Sequence, residues 1–205
     1  MKVVVIDIGI SNLKSLLNCL KFLGINFIIT NDKKEIIKGS HIILPGVGSF
    51  DEYISLLNKF DLIDCIKENI LIKKKLILGI CAGMQVIFSS SEEGKELGLN
   101  FLNGKIQRLI YKKDLEFKVP NVGFLNIINY KREGIFKNIN SKDAFYFMHS
   151  YALKSCIEKN LNLSYSIHND LFISAFEKEN ICGFQFHPEK SQISGIKILS
   201  NFFEK

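Results

Sequence analysis

Lys75-Leu76-Ile77-Leu78-Gly79-Ile80-Cys81-Ala82-Gly83-Met84-Gln85 is the stretch from which the fold can be read. Residues 76–80 are a short apolar run of the kind that forms a strand buried on both faces. A cysteine follows, with a glycine two residues to either side, and Met84-Gln85-Val86-Ile87-Phe88 predicts the start of a helix. Gly-x-Cys-x-Gly between a strand and a helix is the cysteine form of the nucleophile elbow. In so sharp a turn, a side chain larger than hydrogen at 79 or 83 would crowd the backbone. A thiol at a helix N-terminus sits in partial positive charge, which favours the thiolate, the form that attacks. The same residues also suit a small buried cysteine after a strand. The motif alone leaves both readings open.

Outward from this stretch, the first half of the chain alternates between two periods. Residues 2–6 predict a buried strand, and residues 11–23 a helix. That helix carries Leu13, Leu16, Leu17, Leu20 and Leu23 on one face, with Ser11 as N-cap and Gly24 as the stop. Residues 26–29 and 41–44 predict two more strands, separated by a short helix at 33–38 that ends at Gly39. Residues 45–50 form a loop, and helical pattern resumes over 51–72 with a break near Phe60-Asp61. Strands alternating with helices imply βαβ units and a mainly parallel sheet, with ligands at the carboxyl ends of the strands. After Leu97 the texture changes to short strand-like runs at 104–110, 124–128, 144–148, 161–167, 171–176 and 181–186, closed by a helix at 194–203. The second half therefore reads as an antiparallel extension. With no linker or repeat, residues 1–205 are expected to form one domain.

Composition narrows the function classes. Five cysteines (Cys19, Cys65, Cys81, Cys156, Cys182) are an odd number without a C-x-x-C pair, which argues against a disulfide framework or a zinc site and for a reducing cytoplasm. No apolar run is long enough for a bilayer, and Asp7 interrupts the first strand too early for a signal peptide. The net charge of +6 comes from scattered lysines. Only Lys73-Lys74-Lys75 is clustered, without interleaved aromatics, so no nucleic-acid surface is expected. His41, His168 and the remaining cysteines read as structural, and no metal or cofactor is implied.

Two further stretches carry chemistry. In Gln185-Phe186-His187-Pro188-Glu189, extended backbone would place His187 and Glu189 on one face, and Pro188 marks a strand end. Such a pair is either a surface ion pair or, beside Cys81, a general base with its orienting carboxylate. Leu44-Pro45-Gly46-Val47-Gly48 matches neither dinucleotide nor Walker phosphate loops. It is either a tight turn or half of an oxyanion hole, with the amide after the nucleophile, that of Ala82, as the other half.

These three motifs, in this order, resemble the class I (triad-type) glutamine amidotransferases over essentially the whole chain. Phe147-Met148-His149-Ser150-Tyr151, Val119-Pro120-Asn121-Val122-Gly123-Phe124 and Lys190-Ser191 narrow the likeness to glutaminase subunits of imidazole glycerol phosphate synthase. The resemblance implies an α/β three-layer sandwich with a mostly parallel, flavodoxin-like central sheet and an antiparallel C-terminal extension. It implies Cys81 as nucleophile, His187 as general base and acid, Glu189 as orienter, and the Gly48 and Ala82 amides as oxyanion donors. Gln85 and the segment His149, Ser150, Tyr151 would hold L-glutamine. Ammonia would pass, within a heterodimer, to a (βα)₈-barrel cyclase that makes imidazole glycerol phosphate and AICAR in histidine biosynthesis. Pro120, Asn121, Gly123, Phe124 and Lys190 match positions facing that partner.

The chain departs from the family pattern in two places. A large aliphatic residue usually stands where Ala82 does, and Pro-His-Met-Gly-Trp-Asn is usual where Pro120-Asn121-Val122-Gly123-Phe124-Leu125 stands. The second departure keeps open a paralogous role, in which the ammonia goes to a related barrel protein for amidino-sugar surface polysaccharides. A docking module without activity and a cysteine peptidase on an allied fold fit part of the pattern only.

Overall fold

The computed structural model describes residues 1–10, 12–111, 117–128, 130–156 and 158–205. In chain order its first half holds β1 (Val3–Ile6), α1 (Lys14–Phe22), β2 (Phe27–Thr30), α2 (Lys33–Lys38), β3 (His41–Leu44), α3 (Phe50–Lys59), α4 (Ile63–Lys67), β4 (Leu76–Ile80) and α5 (Ala82–Gln85). The second half holds β5 (Ser90–Ser91), β6 (Lys105–Arg108), β7 (Asn121–Asn126), β8 (Ala144–His149), β9 (Tyr151–Leu153), β10 (Asn162–His168), β11 (Asp170–Lys178), β12 (Ile181–Phe184) and α6 (Gln192–Phe203).

The main sheet runs β10-β11-β12-β4-β3-β1-β2. From β12 to β2 every pairing is parallel, and β10 and β11 add an antiparallel edge. Strand alternation sends Val4, Ile6, Ile42, Leu44 and Ile77 into a core shared with α3 and α4. Val3, Val5, Ile43, Leu78 and Ile80 enter a second core with α1 and α6. Burial of Leu16 and Leu20 on α1 and of Phe202 on α6 contributes about 2 kcal/mol each to that second layer. The result is the expected three-layer α/β sandwich. No helix among the described residues is long and apolar enough to cross a membrane.

Register places the functional loops together. β4 is bonded to β3 on one side (Leu44 opposite Gly79) and to β12 on the other (Ile80 opposite Phe184). The loops leaving these three strands, which begin at Pro45, Cys81 and Gln185, therefore emerge side by side at one edge of the sheet. Two smaller sheets, β5-β6-β9 and the antiparallel pair β7-β8, close over that edge.

Several details differ from the sequence expectations. β12, read as part of the antiparallel extension, lies in the parallel centre of the sheet, so the extension proper is β10 and β11. Helix α1 starts at Lys14, whose N–H donates to Asn12 Oδ1 at 3.3 Å, and Ser11 lies outside the described residues. The break expected at Phe60-Asp61 is present, with Asp61 at φ +53°. The helix after Cys81 is a single turn rather than a run through Phe88. Its continuation is lost because the carbonyls of Val86, Ile87 and Phe88 accept instead from Leu99, Phe101 and Asn100. A one-turn helix has few aligned peptides, so the charge at its N-terminus is smaller than a full helix would give.

Candidate active site

The backbone at Cys81 has φ +50° and ψ −110°, a conformation costly for any residue but glycine. It persists because both flanks are locked. Cys81 N donates to Phe184 O at 2.7 Å, prolonging the β4–β12 ladder by one rung, and Gln85 N bonds Cys81 O at 3.0 Å. The two glycines are needed for separate reasons. A Cβ on Gly79 would lie 2.5 Å from Gly83 O, within the turn itself, whereas one on Gly83 would lie 2.0 Å from Leu44 O, in the neighbouring strand. The elbow therefore fits only against the end of β3.

Cys81 opens onto a cavity of about 110 Å³ lined by Gly46, Val47, Gly48, Ala82, Gln85, Glu93, residues 148–151 and His187. Its thiol lies 3.9 Å from Met148 O. The Ala82 N–H opens α5 and so has no intrahelical acceptor, and Gly48, at φ +112°, lies across the cavity wall.

His187 is fixed by its backbone before its side chain is considered. His187 N donates to Tyr146 O at 2.8 Å, and His187 O accepts from Ser191 Oγ at 2.6 Å. Nδ1 is 2.8 Å from Glu189 Oε1, and a carboxylate there fixes the proton on Nδ1. Nε2 is buried and unpaired among the described residues, so it is the nitrogen free to move a proton. Burial opposes a charge on this imidazole, but the Cys81 sulfur and the Glu189 carboxylate outweigh it and raise its pKa well above the ordinary value. Contrary to the sequence expectation, Glu189 does not arrive by strand alternation. β12 ends at Phe184, and a 3-10 turn over Pro188–Lys190 brings the carboxylate back under the ring.

The surrounding wall is set by β7 and β8. His149 is buried; its Nδ1 lies 2.9 Å from Tyr151 O and its Nε2 3.0 Å from Asn121 Nδ2. A carbonyl only accepts, so Nδ1 carries the proton and Nε2 accepts from the Asn121 amide. Burial, against the pull of the Tyr151 carbonyl, holds the His149 pKa down at about 3. The unfolded chain therefore takes up a proton near pH 6.5 that the folded chain refuses, and acidification favours unfolding. Between pH 6.5 and 4 His149 should remove roughly 3 kcal/mol of stability. Denaturant unfolding at the two pH values checks this, because His149→Gln should lose less stability than the parent. Equal losses would contradict it.

Asn121 is only 2% exposed and turns inward to His149, so it does not face outward with the other partner-matched positions. Phe124 does: it is about half exposed, packed edge-on against Tyr146 at 5.4 Å, with Lys190 Nζ 5.6 Å above the same Tyr146 ring. Pro120 and Lys190 are exposed and Gly123 is partly so.

The class-I glutamine amidotransferase family matches residues 4–205. This chain belongs to that family. It is 38% identical over 204 residues to imidazole glycerol phosphate synthase subunit HisH 2 of Methanococcus maripaludis, covering 99% of each chain. It is 39% identical over 202 residues to subunit HisH 1 of Parasynechococcus marenigrum, covering 98% of this chain and 96% of that one. The fold matches a putative GMP synthase protein from Thermoplasma acidophilum with TM-score 0.74 and 22% identity, over 100% of this chain and 92% of the other. It also matches the glutaminase domain of Trypanosoma brucei CTPS with TM-score 0.66 and 14% identity, over 100% and 94%.

Within this amidotransferase, the sequence pattern assigns no role to two residues: Glu93, in the cavity wall, and Gln185, buried against the Cys81 sulfur. Glu93 presents a carboxylate to the cavity, anchored where its Oε2 accepts from Phe50 N at 2.8 Å. It lies in an irregular turn after β5, where no periodicity marks it. Gln185 belongs to the motif at 185–189, yet nothing in the pattern assigns it a role; it is fully buried, with Nε2 3.7 Å from Cys81 Sγ. Among the described residues no cluster of three His, Cys, Asp or Glu side chains is arranged to hold a metal ion.

Proposed function

We propose that this chain is the glutaminase subunit of a two-chain synthase, residues 1–205 acting as one unit that hydrolyses L-glutamine to L-glutamate and ammonia. The observation that carries the reading is one cavity lined by both a strained, elbow-mounted Cys81 and a His187 whose Nδ1 is held by Glu189. His187 Nε2 takes the thiol proton, and the Cys81 sulfur attacks the side-chain amide carbon of glutamine. Its carbonyl oxygen becomes an oxyanion held by the Gly48 and Ala82 N–H groups. His187 Nε2 hands its proton to the departing nitrogen, which leaves as ammonia, and a thioester remains. Nε2 then takes a proton from water, the hydroxyl oxygen adds to the thioester carbon, and glutamate departs as the sulfur regains its starting state. Glu93 is placed to receive the α-ammonium group of the substrate. Gln85, with His149, Ser150 and Tyr151, lines the remainder of its site.

The curated relatives, imidazole glycerol phosphate synthase subunits, support histidine biosynthesis as the pathway and a (βα)₈-barrel cyclase as the acceptor of the ammonia. The surface formed by Phe124, Tyr146 and Lys190, beside the cavity, is the proposed docking edge. Of the four positions in this segment that depart from the family pattern, Asn121 is turned inside against His149, whereas Val122 and Phe124 are about half exposed, Phe124 keeping an aromatic ring on the surface. The names of the curated relatives favour the histidine-pathway partner over the amidino-sugar paralogue. Complementation separates the two, since the gene should restore growth without histidine to a strain lacking its own glutaminase subunit.

A glutamine analogue bearing an electrophilic diazoketone in place of the amide tests the chemistry directly. It should add its mass, less dinitrogen, to the Cys81 peptide alone, and excess glutamine should protect that peptide. Labelling spread over Cys19 and Cys156 at equal rates would remove Cys81 from its role.

A further inference from the structure

Gln185 is held in one orientation by a series of buried hydrogen bonds that ends at the reactive sulfur. Its backbone N–H bonds Ser174 O at 2.9 Å, and its side-chain Oε1 accepts from Gln85 Nε2 at 3.0 Å. The second proton of Gln85 Nε2 goes to Tyr151 O at 2.8 Å. The same carbonyl accepts from His149 Nδ1, whose other nitrogen accepts from Asn121 Nδ2. Gln185, Gln85, His149 and Asn121 are each at least nine-tenths buried. The free end is Gln185 Nε2, 3.7 Å from Cys81 Sγ.

The direction of the whole series follows from one atom. Tyr151 O is a carbonyl and can only accept, so Gln85 must present its amide nitrogen there, and that nitrogen also faces Gln185. Turning the Gln185 amide over would set two N–H groups against each other at Gln85 and leave buried donors unpaired, at a cost of about 1–3 kcal/mol. Gln185 therefore offers the sulfur a donor, not an acceptor. An N–H aimed at sulfur favours negative charge on it and confines its rotamer toward the cavity.

We propose that Gln185 is a positioning residue for the reaction, holding the Cys81 sulfur through its amide N–H, with Gln85, His149 and Asn121 fixing that amide. This rests on the reading of Cys81 as the nucleophile. Gln185→Met keeps the volume and removes both polar atoms. Gln185→Glu keeps the acceptor for Gln85 and sets a carboxylate oxygen where the donor to sulfur stood. Both are made in the full chain, with cooperative unfolding checked by circular dichroism. Carboxamidomethylation of Cys81 by iodoacetamide near neutral pH, followed on the Cys81 peptide, should slow about tenfold in both variants, the worth of a hydrogen bond to a charged group. In glutamine hydrolysis kcat should fall by a similar factor, with KM changed by less than about twofold because substrate contacts remain. A strut that merely fills space would leave the Met variant at the parental rate. Parental alkylation of Cys81 in either folded variant overturns the proposal. Alkylation needs no turnover, so a parent chain that fails to hydrolyse glutamine would count against the glutaminase reading while Gln185 could still be judged.

Discussion

Cys81→Ala should eliminate glutamine hydrolysis, lowering kcat by at least about 10⁴-fold, because no other group in the cavity can form the covalent intermediate. The remaining four cysteines cannot substitute, since none of them lines the cavity; Cys182 is fully buried in the second core, where desolvation raises its pKa to about 12, and Cys65 packs in the core on the opposite face of the sheet. The loss should be confined to the first half of the coupled reaction. Assayed with the proposed barrel partner, the variant should make product from ammonium salts at the parental rate and none from glutamine. His187→Ala should be nearly as severe, and the double variant no worse than either single one, since groups that act as a unit are not additive. Glu189→Gln should fall short of both, because its amide could still accept from His187 Nδ1 while giving up the charge. Substantial glutamine turnover by Cys81→Ala, measured as glutamate release, would sink the proposed mechanism. Loss of the ammonium-dependent reaction as well would indicate that the substitution had disturbed docking rather than chemistry.

The reasons why some of this is legible in the sequence are physical. β4, its elbow and the two flanking loops can be read because their determinants are local: apolar strand, obligatory glycine, chemical side chain. Gly79 illustrates this, since the atoms it must avoid belong to the turn that it starts. Features that depend on distant pairing cannot be read. Asn121 is expected at a partner surface, and its burial depends on β7 lying antiparallel to β8 so that it falls opposite His149. The expected helix after Cys81 is too long because the groups that unwind it belong to residues 99–101. The role of Gln185 is set by Gln85 and Tyr151, far away in the chain. Alternation puts His187 and Glu189 together for the wrong reason, since both a strand and a 3-10 turn can bring residues two apart into contact.

Gly46→Ala should be among the most damaging single changes in the molecule, although it adds only a methyl group and Gly46 does not require left-handed backbone. A Cβ at Gly46 would lie 1.7 Å from Ile80 O, 2.6 Å from Ala82 N and 2.8 Å from Gly83 N. All three are backbone atoms of the elbow, so no rotamer change can make room. The loop after β3 and the elbow must separate by an ångström or more, each pulling on a strand held in the centre of the sheet. That strain should cost roughly 3–5 kcal/mol, the scale of severe overpacking, and lower the melting temperature by about 10 °C for a chain of this length. Gly24→Ala is the control: its φ is +68° but a Cβ there meets nothing within 4 Å. It should cost only about 1–2 kcal/mol, the backbone strain alone. The same displacement has a catalytic consequence, because Gly48 and Ala82 stand on the two pieces forced apart. An ångström between oxyanion donors should reduce kcat about 100-fold even in the fraction that remains folded. Thermal unfolding and glutaminase kinetics on the two variants separate these effects. A Gly46→Ala chain as stable as Gly24→Ala would mean that the two loops are not locked together, and the elbow would then owe its shape to β4 and β12 alone.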